Sequence, residues 1–199
     1  MYTHGGSKIL LLKVALLFFY LTGSIQWTFA QEAGTVFKEM YQDAILDCRL
    51  QAEFATLLSD IYTNEAFPGT FSYRKGKKVI SREVNLEIRG KFRRINCDFP
   101  PLMIKFKKKD LAKDGLSEHN DIKLVTHCLD DSWSSRKNIM KEYLAYKLFN
   151  ILSDHSFRVQ LIRITYEDTS GELSDIRYFG LLIEDSDELA ERLNPIECE

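Results

Sequence analysis

Lys123 and Glu142 are the two residues whose types and spacing best suit a binding chemistry. Lys123 stands in Ile122–His127, a segment that predicts a strand, and Glu142 follows in a segment of helical period over Asn138–Leu152. A lysine ammonium binds phosphate oxygens well when a carboxylate from a packed helix aims it. The 19 residues that separate the two suit a step from a strand to a helix. The alternative is that both are ordinary solvated charges.

A basic turn that contains Gly90 is the second candidate for chemistry. Between Arg89 and Lys109 there are eight basic residues and one acidic residue. A turn without bulk at Gly90, surrounded by guanidinium groups, can hold an anion with backbone and side-chain donors. Apolar and polar side chains alternate over 102–106, which predicts a strand with Lys105 facing outward. Residues 107–109 are expected to form the exposed end of this strand. The alternative for the turn is a charged, soluble hairpin end.

Other catalytic chemistries find no support in the residue pattern. His127 stands at a strand end without partners at the spacing that a metal or a Cys–His pair requires, so a structural role is the better interpretation. The chain contains no phosphate-binding glycine loop, no HExxH and no GxSxG motif. The sequence therefore points to anion binding and to no metal site.

The first 30 residues predict a secretory signal peptide. Lys8 and Lys13 provide positive charge, and Val14–Ile25 is an apolar run that is too short to span a bilayer. Thr28 and Ala30 precede the predicted cleavage site, so residues 31–199 are expected to form one exported domain, periplasmic or extracellular. The alternative is an uncleaved membrane anchor. Without the leader, 25 basic residues stand against 29 acidic ones, which argues against a nucleic-acid partner.

Four cysteines occur in the chain, for which the leader predicts export: Cys48, Cys97, Cys128 and Cys198. An even number of cysteines in an exported protein indicates disulfides, and four allow three pairings. The residue pattern alone does not choose among these pairings. None lies in a CxxC motif, so a zinc site or a thioredoxin-like redox site is poorly supported.

Strand-like and helical segments alternate along the chain in a way that predicts an α+β fold. Residues 46–54 alternate apolar and polar side chains, and 71–75 and 79–89 flank a Gly76 turn that predicts a hairpin. Further strands are expected at 157–166 and 176–184, the last a central one because it is almost wholly apolar. A β-rich antiparallel sheet with one long packed helix results.

The long helix is predicted to begin with a serine cap and to carry one apolar stripe. Ser134 or Ser135 precedes the periodic segment and is of the type that caps helices. The apolar positions then recur at helical spacing, which predicts that they form the packed face. These positions are Met140, Leu144, Leu148 and Ile151.

Several longer motifs resemble the CotH-like family of atypical, kinase-fold proteins. The similar segments are Leu86–Phe106, in which Arg89-Gly90 leads into Lys105 on a strand, the helix motif Lys141–Tyr146 and the strand ending Gly180–Glu184. More narrowly, they resemble a group of exported bacterial proteins and cover most of 46–193. The segments are CDFPPL (97–102), KLVTHC (123–128), KEYLAYKLFNILSDHSFRV (141–159) and IEDSDELAER (183–192).

The resemblance implies a nucleotide-binding lobe over 46–193 with a second lobe absent. Lys123, or else Lys105, would contact the phosphates of ATP bound with magnesium, and Glu142 would orient the lysine. The Arg89-Gly90 turn would cover the nucleotide, and Glu184 would mark the hinge to the second lobe. The resemblance also implies that Cys97 and Cys128 lie on neighbouring strands and form a disulfide.

The chain departs from the family because it lacks the residues that perform phosphoryl transfer. After Glu184 it has neither the catalytic loop nor the metal-binding aspartate that kinase chemistry requires. The expectation is an exported CotH-like protein, truncated, that at most binds nucleotide through Lys123 and Glu142. The alternative is a secreted, non-catalytic β-rich binding or envelope-associated module with an unidentified protein partner.

Overall fold

A computed structural model describes residues 33–193 of the chain. The predicted signal peptide and Cys198 lie outside these residues. Seven strands are described: β1 Leu46–Ala52, β2 Phe67–Lys75, β3 Lys78–Ile88, β4 Leu102–Phe106, β5 Asp121–Val125, β6 Val159–Asp168 and β7 Ile176–Ile183. The helices described are α1 Val36–Met40, α2 Phe54–Ser59, α3 Phe92–Asn96, α4 Lys108–Lys113, α5 Ser132–Leu152 and α6 Ser186–Leu193.

The strands close into a barrel in the order β1-β2-β3-β4-β5-β7-β6. Six neighbouring pairs are antiparallel, while β1 pairs with β6 in parallel, with Leu46 opposite Ile162 and Ala52 opposite Asp168. The expected α+β, β-rich class is confirmed. The sheet is antiparallel as expected except at one pair, because β6 runs parallel to β1 and lies beside it, so that both edges of β1 are paired.

The hairpin of β2 and β3 is confirmed, and its register follows from a two-residue turn. Lys75 lies opposite Lys78, and Gly76 between them has a φ of +60°, a conformation that glycine adopts without steric cost. Strand β7 pairs with β5 on one side and with β6 on the other, as each strand of the closed barrel has two neighbours, and its last four residues are buried as the apolar run predicts.

The barrel strands place alternate side chains on its two faces. Leu50, Phe71, Leu86 and Ile104 belong to the large apolar core that fills the interior. On the outside, α5 covers a second cluster that includes Val125, Ile139, Leu161, Leu181 and Ile183. Because β5 alternates, its outward positions lie on the side of α5, and one of them is the predicted phosphate-binding lysine.

Helix α5 is longer than the sequence predicted and begins at a different cap. The Asp131 side chain caps it by accepting from the Ser134 backbone N–H at 2.8 Å, so the prediction that Ser134 or Ser135 is the cap was wrong. Ser135 and Ile139 are buried against the barrel. The predicted inner stripe was wrong as well, because Leu144, Leu148 and Ile151 are exposed.

Two short helices replace segments that the sequence predicted as a turn and a strand end. Helix α3 begins two residues after Gly90. Strand β4 ends at Phe106, and helix α4 begins at Lys108. The buried Leu111 packs this helix against the core. Lys108 and its neighbours therefore lie on a helix and not on an exposed strand end.

The predicted disulfide between Cys97 and Cys128 is present. It links the segment after α3 to the end of β5, beside an isolated backbone bridge that pairs Phe99 with Cys128. Cys128 has a φ of +65°, so a non-glycine residue holds a left-handed conformation at this link. Cys48 is a free thiol inside the barrel, where burial raises its pKa.

Candidate anion-binding site

Lys123 projects from the outer face of β5 into a half-buried position. Its Nζ donates to the Ser186 hydroxyl at 2.6 Å and lies 4.4 Å from the centre of the Phe157 ring. Burial and then the neighbouring Arg89 lower the pKa of Lys123, while Asp185 acts in the opposite direction. A lysine in this setting is destabilised as a cation and gains from a bound anion.

Arg89 follows the last residue of β3 and is the second half-buried cation of the site. Its backbone N–H donates to the Pro101 carbonyl at 2.9 Å, which holds the chain in the direction of the strand. Burial lowers the pKa of Arg89, Arg93 lowers it further, and Tyr146 and Glu142 raise it. Across residues 33–193, neither Arg89 nor Lys123 has a carboxylate oxygen within 4.0 Å of its charged group.

Arg89 follows β3 and Lys123 lies on β5, with β4 between the two strands, and the charge of Arg89 contributes to the lowered pKa of Lys123. Neither cation has a direct ionic partner among the described residues. Like charges at a partly desolvated position repel more strongly than on an open surface. A phosphate group would relieve this repulsion and accept charge-assisted hydrogen bonds from both side chains. Arg89 and Lys123 are thus the two predicted residues whose arrangement best fits an anion site.

Glu142 lies on α5 but pairs with a different cation from the one predicted. Its Oε2 accepts from Arg93 Nη2 at 2.7 Å, across the space between α5 and α3. Lys123 donates to Ser186, so the two residues that the sequence singled out do not form a salt bridge with each other. The role of Arg93 was missed because its partner is distant in sequence and on another helix.

Lys105, the other lysine that the resemblance offers, is neutralised within the sheet. Its Nζ lies 2.8 Å from Glu87 Oε1 on the neighbouring strand β3. Hydrogen bonding to Glu87 raises the pKa of Lys105 above its usual value. Because Lys105 already has a carboxylate partner, it fits the anion site less well than Lys123 does.

Gly90 gives the basic turn its backbone conformation. Its φ is +83°, and a Cβ at this position would meet no neighbouring atom within 4 Å. The glycine is therefore required by the left-handed backbone and not by a lack of space. The Arg94 guanidinium donates to the Ile88 carbonyl and so fastens α3 to the end of β3.

Glu184, the predicted hinge residue, is fully buried and has several protein partners. One carboxylate oxygen accepts from the Arg158 backbone N–H at 2.7 Å and from Arg192 Nη2 at 2.8 Å. The other accepts from Arg158 Nε at 2.7 Å. Arg158 also donates to the buried Glu188. Glu184 and these arginines therefore connect the start of β6 to α6. No local sequence pattern predicted that these arginines pair with Glu184.

A cavity of about 450 Å³ adjoins the site between α5 and the end of β5. Arg93, Glu142 and the buried His127 are among its lining residues. The His127 ring stacks on Tyr178 with 3.8 Å between centroids, and both of its nitrogens lack a hydrogen-bond partner in the structure. Burial lowers the pKa of His127 to about 4, although the nearby Asp98 acts in the opposite direction.

Comparisons with known proteins place the chain in no group. No protein-family model, no curated protein and no solved structure matches it.

Between residues 33 and 193, no three histidine, cysteine, aspartate or glutamate side chains are grouped so that they could hold a metal ion. In the same range, no helix has both the length and the apolar character that a membrane crossing needs.

Proposed function

We propose that this protein is an exported, CotH-like protein that binds the phosphate groups of a nucleotide through Arg89 and Lys123. The observation that carries the proposal is that two half-buried cations, one on β5 and one just after β3, lie on either side of β4, and that neither has a salt-bridge partner among residues 33–193. The apolar run and cleavage pattern of residues 1–30 support export.

The order of the elements around the two cations also supports the proposal. Strand β5 carries Lys123 on its outer face, and the helix that follows carries Glu142 and packs on that face. A strand lysine followed by a helix glutamate is the arrangement with which kinases hold nucleotide phosphates. Glu142 holds Arg93 next to the site, and Phe157 provides an apolar surface beside the lysine.

The residues fit the phosphates of ATP better than they fit a magnesium ion. Arg89 and Lys123 supply positive charge and hydrogen-bond donors, which phosphate oxygens accept. A magnesium ion bound with ATP takes most of its ligands from phosphate and water, and residues 33–193 contain no group of three His, Cys, Asp or Glu side chains that would hold the ion by itself. We therefore derive binding and orientation of a nucleotide from this chain, and no phosphoryl transfer.

Calorimetric titration of the full chain with ATP and with pyrophosphate, each without magnesium, tests the proposal. Lys123→Ala and Arg89→Ala are each expected to weaken binding about tenfold or more, because each removes a charge-assisted hydrogen bond. Lys105→Ala is the matched control, since it removes an equal charge that Glu87 already neutralises.

The titrations distinguish three outcomes. Loss of binding in Lys123→Ala and Arg89→Ala, with the affinity of Lys105→Ala unchanged, supports the site. Equal weakening in all three variants would show only a general effect of net charge and would contradict the proposal. Binding of neither ligand by the unaltered chain would also contradict it. Far-ultraviolet circular dichroism of each variant confirms that the barrel is intact.

A second candidate is the non-catalytic binding or envelope-associated module. It is favoured by the observation that Glu142 pairs with Arg93 and Lys123 donates to Ser186, so that Lys123 and Glu142 form no salt bridge with each other. In this alternative the cations serve contacts with another macromolecule. A chain that binds no nucleotide but retains a stable complex with an envelope component would favour it.

A further inference from the structure

The solvent side of α5 carries large apolar side chains that no other described residue covers. Trp133, Leu144, Leu148, Ile151 and Leu152 are between 59% and 81% exposed, and we call them the apolar face of α5. At 100° per residue they lie on the side of the helix opposite the buried Ser135 and Ile139.

This apolar face is not needed to hold the helix on the barrel. Ile139, with partly buried Met140 and Tyr143, already packs against Val125 and Leu181 beneath the helix. Single exposed apolar residues are ordinary on protein surfaces, but several on one helix face indicate a surface that contacts something else. The apolar face therefore calls for a partner outside the described residues.

The neighbouring charges on α5 indicate the chemistry of that partner. The helix contains four basic residues and one acidic residue, although the whole chain has a net charge of −2. Lys137 and Lys141 lie on the solvent side with the apolar face, and Lys137 Nζ sits 4.6 Å above the Trp133 ring. The surface is thus apolar and locally basic on an otherwise acidic protein.

Helix α3 carries a similar combination of side chains, although it contacts α5 on the side away from the apolar face. Arg93 joins it to Glu142 of α5, and it exposes Phe92 and Ile95. Lys91 precedes its first residue. Aromatic and aliphatic side chains among lysines and arginines on one surface are typical of helices that lie in a membrane interface.

We infer that the apolar face of α5, with Lys137 and Lys141 beside it, binds the surface of an anionic lipid membrane. The apolar side chains would enter the boundary between headgroups and acyl chains, and Lys137 and Lys141 would pair with lipid phosphates. A second copy of the chain fits less well, because it would bring one basic surface against another. This inference goes beyond nucleotide binding and uses other residues.

Fluorescence of Trp133 in the full chain tests the inference. The chain contains two tryptophans, so Trp27→Phe leaves Trp133 as the reporter. Vesicles of phosphatidylcholine with brominated acyl chains, with and without phosphatidylglycerol, are added. Phosphatidylglycerol vesicles are expected to shift the emission to the blue and to quench it, while phosphatidylcholine alone has little effect.

Two sets of variants separate this surface from the rest of the molecule. Leu148→Glu with Ile151→Glu is expected to weaken vesicle binding roughly tenfold or more, because two apolar anchors become acidic. Val79→Glu is the control, since this apolar residue is equally exposed but lies on β3. The leader is present in every variant, so its own affinity for lipid cancels in the comparison.

Two results would overturn the inference. The first is quenching of equal extent in the unaltered chain and in the Leu148→Glu, Ile151→Glu variant. The second is blue-shifted Trp133 emission before vesicles are added, with a dimer mass in light scattering, which would assign the apolar face to a second copy. Quenching that survives Val79→Glu but not the α5 variant supports the lipid surface.

Discussion

Arg93 Nη2 lies 2.7 Å from Glu142 Oε2, and this contact joins the basic turn after β3 to the long helix α5. The carboxylate that the resemblance assigns to a lysine is thus held by an arginine from the other side of the site. Its charge also raises the pKa of the neighbouring Arg89. Glu142 therefore competes with any anion that binds at Arg89 and Lys123.

Neutralisation of Glu142 is predicted to strengthen anion binding. Glu142→Gln keeps the size of the side chain and removes its negative charge, so pyrophosphate affinity should rise about twofold to tenfold at low salt. The gain should shrink as salt screens the exposed part of the interaction. Isothermal calorimetry at two ionic strengths measures both effects.

A loss of affinity in Glu142→Gln as large as that in Lys123→Ala would contradict this prediction. That result would mean that Glu142 moves to orient Lys123 when the ligand binds, as the kinase resemblance implies. Glu87→Gln is the matched control, because it removes an equal charge that pairs with Lys105 on the sheet.

Acid is predicted to destabilise the fold through His127. The folded-state pKa of about 4 lies below the usual value of 6.5, so the unfolded chain takes up the proton first. The free energy of unfolding therefore does not depend on the protonation of His127 above about pH 6.5. It falls by about 3 kcal/mol in total as the pH is lowered from 6.5 toward 4. Urea unfolding at several pH values measures this loss.

His127→Phe should remove that part of the pH dependence and keep an aromatic ring against Tyr178. The readout is the slope of stability against pH, which does not depend on how well the new ring fits. His155→Gln, an exposed position, should leave the slope unchanged. An unaltered slope in His127→Phe would show that other groups cause the acid sensitivity.

Glu184 is predicted to matter for stability more than for ligand binding. It is fully buried, and its oxygens accept hydrogen bonds from Arg158 and Arg192. Glu184→Gln should lower the free energy of unfolding by about 3 kcal/mol, because it leaves Arg192 without its carboxylate partner and Arg158 with Glu188 alone. Guanidinium unfolding gives this value, with the exposed Glu172→Gln as the control.

A hinge role for Glu184 would show a different result. In that case Glu184→Gln would weaken ATP binding while the unfolding midpoint changed little. The predicted pattern is the reverse: a lower midpoint and, at temperatures where the variant is folded, an affinity for ATP within about twofold of the unaltered chain.

Local patterns were sufficient to predict most strands but not their closure into a barrel. Alternation identified β1 and showed which residues face the core, and the Gly76 turn identified the hairpin. Alternation does not specify which distant strand becomes the neighbour, so the parallel pairing of Leu46 with Ile162 could not be inferred.

The orientation of α5 and the contacts of the site depend on packing that the sequence does not encode locally. Apolar residues occupy both sides of this helix, so the spacing fits Ile139 and Tyr143 as well as Leu144 and Leu148. Lys123 and Arg89 were identified as candidates from residue type. Their placement on either side of β4, and the pairing of Glu142 with Arg93, follow from tertiary contacts.

Removal of the disulfide is predicted to destabilise the fold substantially. Cys97 and Cys128 are 31 residues apart, and a crosslink across a loop of this length contributes about 3–4 kcal/mol in the chain-entropy description. The link also holds Cys128 in a left-handed conformation next to His127. Cys97→Ala with Cys128→Ala should therefore lower the thermal midpoint.

Comparison with a reducing agent shows whether the loss comes from the covalent link. The unaltered chain should lose a similar amount of stability in reductant, whereas the double variant should be insensitive to it. Cys48→Ala is the thiol control, and it should keep the response to reductant because its side chain forms no disulfide. A stability that reductant does not change would contradict the predicted contribution, because the Cys97–Cys128 link would then add little to the folded state.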